Sequence, residues 1–96
     1  MAEARESVLI VNAKGLHARA SAKFVNTVAA LPEELAVKVT KDGAEAAGGS
    51  ILGLMMLGAA KGDTIDISVS GAGAPEEVEL ALARLAGLVK DGFGED

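Results

Sequence analysis

A change of apolar period two-thirds of the way along the chain sets the tightest limit on its fold. Ile65, Ile67 and Val69 alternate with Thr64, Asp66, Ser68 and Ser70, the pattern of a strand with one buried face. After a break at Gly71 to Pro75, Val78, Ala81, Leu82, Leu85, Leu88 and Val89 recur at three- and four-residue spacings up to Lys90 and Gly92. Those positions share one face of a helix. Pro75 suits the first helical position, and Glu76 and Glu77 complement the positive end of the helix dipole. Each element has one apolar face to hide, which helix-on-sheet packing achieves.

The same two periods organise the rest of the chain. Val8-Leu9-Ile10-Val11 is a short β-prone run, broken by Asn12 to Leu16. Ala20 or Ser21, Phe24, Val25, Val28 and Leu31 then recur at helical spacing, and Pro32 ends that helix near Ala30. Leu35, Val37 and Val39 alternate again, and Lys41-Asp42-Gly43 supplies an Asp-Gly hairpin turn. The turn predicts a strand over Ala44 to Ala47, although alanine and glutamate are poor strand formers. Ser50 is a natural N-cap for a short helix over Ile51 to Leu57. Apart from Gly53 that segment is apolar on every side, so some of Ile51, Leu52, Met55 and Met56 is expected to face solvent or a partner. The tail from Phe93 to Asp96 is expected to be loose.

The resulting order is β-α-β-β-α-β-α. It predicts an α+β open-faced sandwich, with a four-stranded antiparallel sheet covered on one face by three helices. Ninety-six residues bury roughly 65% of the surface their unfolded form exposes, which supports one core. A single domain over residues 1–96 is expected.

Composition excludes several functions. The chain has no cysteine and one histidine, so neither thiolate nor histidine-rich metal ligation is expected, and no cofactor is implied. The longest uncharged stretch, Ala46 to Ala60, falls short of about 18 apolar residues and is interrupted by glycine, so no membrane insertion is expected. Met1 to Glu6 lacks the basic and apolar regions of a signal peptide, which makes the cytoplasm the expected location. Residues 7–32 carry Lys14, Arg19 and Lys23 with no acid, a local +3 on a chain of net charge −5. Nucleic acid is disfavoured by the acidic remainder and by Phe24 and Phe93 being the only aromatics. A phosphate or an acidic protein surface fits the patch better.

The lone histidine, His17, lies inside that basic island, at or beside the N-cap of the first helix. A free imidazole ionises at about pH 6.5, so its neutral form is a competent nucleophile near neutrality. Attack on an in-line phosphoryl donor gives a labile phosphoramidate, which permits onward transfer. The amide of Ala18, the helix dipole and Arg19 are placed to share the new charge of nearly −2. A second reading from the residues alone is a non-catalytic α+β regulatory or ligand-binding module, in which His17 is structural and the Ile51 segment binds a partner.

Two motifs carry a family resemblance. Gly15-Leu16-His17-Ala18-Arg19 with the following Ala22-Lys23-Phe24-Val25 is similar to the active-site segment of the HPr family, the histidine phosphocarriers of the bacterial phosphotransferase system. The run Gly49-Ser50-Ile51-Leu52-Gly53-Leu54-Met55-Met56-Leu57-Gly58, then Lys61-Gly62, resembles that family's second motif. The resemblance implies a phosphocarrier rather than an enzyme. His17 would accept phosphate on Nδ1 from enzyme I, which draws it from phosphoenolpyruvate, and donate it to an enzyme IIA acceptor. It makes Arg19 the active-site arginine and Ser50 a target for a dedicated HPr kinase/phosphorylase. Ala20, Lys23, Ile51, Leu52 and Met55 would dock partners, and the protein would act as a monomer. Ser50 serving only as an N-cap would look identical in sequence. Ala20 stands where the family commonly has proline, a substitution that leaves the histidine loop less preset in backbone angle. Ala18-Arg19-Ala20 is similar to proteobacterial members, including those of the nitrogen-related branch.

Overall fold

In the computed structural model, which describes residues 2–95, the strands are β1 (Ala2–Leu9), β2 (Leu35–Lys41), β3 (Ala44–Ala47) and β4 (Thr64–Gly71). The helices are α1 (Ala18–Ala29), α2 (Ile51–Met56) and α3 (Pro75–Lys90), and a 3-10 turn follows at Gly92–Gly94. All strand pairs are antiparallel, in the order β1-β4-β2-β3. Because strand side chains alternate between faces, Val8, Val37, Val39, Ile65, Ile67 and Val69 fall together on the covered side and are buried. Phe24 of α1, Leu54 of α2 and Val78, Leu85 and Val89 of α3 close over them. The expected α+β open-faced sandwich is the fold.

The Asp-Gly turn explains the weakest strand. Asp42 (φ 49°) and Gly43 (φ 85°) both adopt left-handed angles, the requirement of a two-residue hairpin whose twist matches its strands. Lys41 therefore pairs with Ala44 and Lys38 with Ala47, and β3 forms despite its alanines. Turn geometry outweighs propensity here.

Two expectations need correction. The first strand is not Val8 to Val11 but Ala2–Leu9, paired along its length with β4 from Ala2 opposite Gly71 to Leu9 opposite Thr64. The register with a long, strongly alternating neighbour recruits Ala2 to Ser7, whose own composition is weak for a strand. Ile10 stays fully buried beyond the strand end, its N–H donating to the Asp63 carbonyl at 2.8 Å.

The described part of the tail is not loose either. Phe93 is 1% exposed and belongs to the core, and Glu95 returns to the first loop. Met1 and Asp96 lie outside the described residues. Among the described residues, no helix is long and apolar enough to cross a membrane.

Candidate phosphoryl-transfer site

The loop between β1 and α1 is built to present His17. Gly15 has φ +60°, and a Cβ there would collide with the Ala59 carbonyl oxygen, so only glycine lets the loop lie against the 59–60 segment. The neighbouring Leu16 N–H donates to that same carbonyl at 3.0 Å, and the Leu16 side chain is buried. Clamped in this way, His17 enters α1 as its N-cap in extended geometry (φ −75°, ψ −179°). Its carbonyl accepts the Ser21 N–H at 2.9 Å, while its side chain caps nothing. The amides of Ala18 and Arg19 stand among the unpaired donors of a helix start. This is the end of a helix that favours anions.

A cleft of about 450 Å³ opens beside the ring, lined by Ala13, Lys14, His17, Arg19, Lys23, Gly94 and Glu95. The three cations of the basic island thus converge on one concavity with the histidine. The Arg19 side chain is exposed and makes no ion pair among the described residues. Lys23 is half-buried, and its Nζ donates to the Phe93 carbonyl at 2.6 Å. It ties the tail to α1.

Sequence reasoning missed Glu95 and Asn12. Glu95 Oε2 lies 2.8 Å from His17 Nε2, with the two side chains only 20% and 23% exposed. Asn12, 3% exposed, donates from Nδ2 to the Gly15 carbonyl at 2.9 Å and to Glu95 Oε1 at 3.2 Å. Desolvation opposes the Glu95 carboxylate, but the hydrogen bonds from Asn12 and His17 and the charges of His17 and Lys23 outweigh it. Its carboxyl is held below the ordinary value. The one local signal for this arrangement was Phe93 between two glycines, a large aromatic that needs burial at a place where the backbone turns sharply.

The second motif forms a flank beside α1, against which α2 packs. Ser50 caps α2, its Oγ accepting the Gly53 N–H at 2.9 Å. Leu54 points into the core, while Ile51, Leu52, Met55 and Met56 are 41%, 68%, 41% and 77% exposed. All four candidates face outward. Ala20 does not: the third residue of α1, it is fully buried in the core cluster and offers no exposed surface for docking.

Comparisons with known proteins identify the family. The family model described as "PTS HPr component phosphorylation site" matches residues 4–91. The chain belongs to the HPr family of phosphocarriers. It is 45% identical to the phosphocarrier protein HPr of Neisseria meningitidis serogroup A over 91 residues, covering 95% of this chain and 96% of that one. It is 35% identical to the phosphocarrier protein NPr of Escherichia coli K12, over 96% of this chain and 97% of that one. The crystal structure of HPr-C-His from Thermoanaerobacter tengcongensis superposes with a TM-score of 0.82 at 32% identity, covering 97% and 98% of the two chains. This family member is therefore a phosphocarrier of the phosphotransferase system and not a catalytic enzyme.

Proposed function

We propose that His17 is the residue that carries the phosphoryl group, taking it from phosphorylated enzyme I and passing it to an enzyme IIA-type acceptor in the cytoplasm. The observation that carries this reading is the placement of the only imidazole at the mouth of α1, in a cleft shared with Lys14, Arg19 and Lys23. The lysines, the arginine and the first-turn amides of Ala18 and Arg19 stabilise the added charge through charge-assisted hydrogen bonds. None of them forms a covalent bond, so the phosphoryl group remains transferable. Exposed Ile51, Leu52 and Met55 on α2, which packs against α1, give partner proteins an apolar footing, and the carrier acts as a monomer.

Regulation at Ser50 belongs to the same reading. An HPr kinase/phosphorylase acting there would place nearly two negative charges against the apolar footing and weaken docking. Ser50→Asp is expected to slow acceptance from enzyme I while leaving the helix capped. An unchanged rate would remove Ser50 from the account.

The test of the carrier role is incubation with phosphoenolpyruvate and enzyme I. An acid-labile, base-stable phosphoprotein is expected, and enzyme IIA should discharge it. Continued labelling of His17→Ala would overturn the assignment.

A further inference from the structure

A chain of hydrogen bonds fixes one edge of the His17 ring. Gly15 holds Asn12 through its carbonyl, Asn12 Nδ2 holds Glu95 Oε1, and Glu95 Oε2 meets His17 Nε2 at 2.8 Å. The far end is anchored as well, because Phe93 is buried and its carbonyl accepts from Lys23. An ionised carboxylate only accepts hydrogen bonds, so this contact requires the hydrogen on Nε2. The neutral ring then carries its lone pair on Nδ1, the nitrogen turned away from Glu95.

We propose that Glu95 is a positioning residue for phosphoryl transfer, holding His17 as the Nε2–H tautomer with Nδ1 as nucleophile and retaining that proton while the phosphoryl group is on the ring. The proposal rests on the reading of His17 as the carrier.

In the step itself, the Nδ1 lone pair forms the N–P bond as the donor's bond to phosphorus breaks, and its electron pair leaves with the donor. No proton departs from His17, so the loaded ring is cationic and faces the Glu95 carboxylate. On donation, the N–P electrons return to that cationic ring and release neutral imidazole. A ring that had lost the Nε2 proton would have to leave as an imidazolate, a far poorer leaving group. Among the described residues lining the cleft, the other charged groups are Lys14, Arg19 and Lys23. All three favour the phosphoryl group but oppose a proton on Nε2, and Glu95 supplies the one counterweight. The division of labour parallels the way a carboxylate orients and supports a catalytic imidazole in hydrolases.

The experiment compares the intact protein with Glu95→Gln and Glu95→Ala in two arms. In the unloaded protein, ¹⁵N shifts of the His17 ring above neutral pH should report a single Nε2–H tautomer. Glu95→Gln, whose amide oxygen still accepts, should retain it, and Glu95→Ala should move toward an averaged pattern. In protein loaded by phosphoenolpyruvate and enzyme I, the midpoint of the ³¹P pH titration should fall by about half a pH unit or more in both variants, since both lose the charge. Identical ring shifts and identical midpoints in all three proteins would overturn the proposal. Should none of the three load, the carrier reading fails, and the unloaded arm still decides whether Glu95 sets the tautomer.

Discussion

Glu95 Oε2 sits 2.8 Å from His17 Nε2, joining the C-terminal segment to the first helix across 78 residues of sequence. The contact gives the imidazole two unlike edges, one held by a carboxylate and one open to the basic cleft. Its first consequence concerns pH. The folded carboxyl of Glu95 is depressed below the ordinary 4.5, so its contribution to tail docking is fully present above that value and is lost as pH falls through the lower folded value. A ¹³C titration of the Glu95 carboxyl should show a midpoint below 4.5, with the His17 ring resonances moving in step. A midpoint at or above 4.5 would mean that Asn12 and His17 do not hold it.

Phe93→Ala tests whether the tail is part of the core. The ring is 1% exposed, and truncating a buried phenylalanine costs about 3 kcal/mol or more. Urea unfolding should show a loss of that size, and the Glu95 contact should be lost with it. A change below about 0.5 kcal/mol, the range of ordinary surface substitutions, would place the tail outside the core.

Gly15→Ala addresses the loop that presents His17. The substitution adds a left-handed backbone penalty of about 1 kcal/mol and a collision with the Ala59 carbonyl oxygen. We expect destabilisation of at least about 2 kcal/mol and slower phosphorylation in the fraction that folds. Near-wild-type stability and rate would show that the loop is not held against the 59–60 segment.

Most of the architecture was legible because it is periodic. Ile67, Leu85 and Phe24 could be placed in the core from spacing alone, since each sits on the repeating apolar face of its own element. Ala2 to Ser7 could not be, because that stretch of β1 is specified by the strand it pairs with and not by its own residues. The site divides in the same way. His17 and Arg19 lie two residues apart and announce themselves as a motif, whereas Glu95 and Asn12 meet only after α3 packs along β1 and carries the tail to the first loop. Ala20 was legible as part of the apolar face of α1 from its spacing with Phe24, and it is buried there, whereas the family resemblance alone had made it a docking residue.

Leu52→Glu tests the apolar footing. Leu52 is 68% exposed, so the change should leave unfolding stability within about 0.5 kcal/mol of wild type. Association with enzyme I, measured by titration calorimetry, should weaken at least tenfold, as expected when a charge is buried in an apolar contact. Unaltered affinity would move the docking surface away from α2.

The most direct measurement is the site of phosphorylation after brief exposure to phosphoenolpyruvate and enzyme I, mapped by peptide fragmentation under base-stabilised conditions. A single phosphoryl group on His17, removed on addition of enzyme IIA, is the predicted result. Phosphate on another residue, or a His17 that stays unmodified while enzyme IIA is charged, would contradict the account.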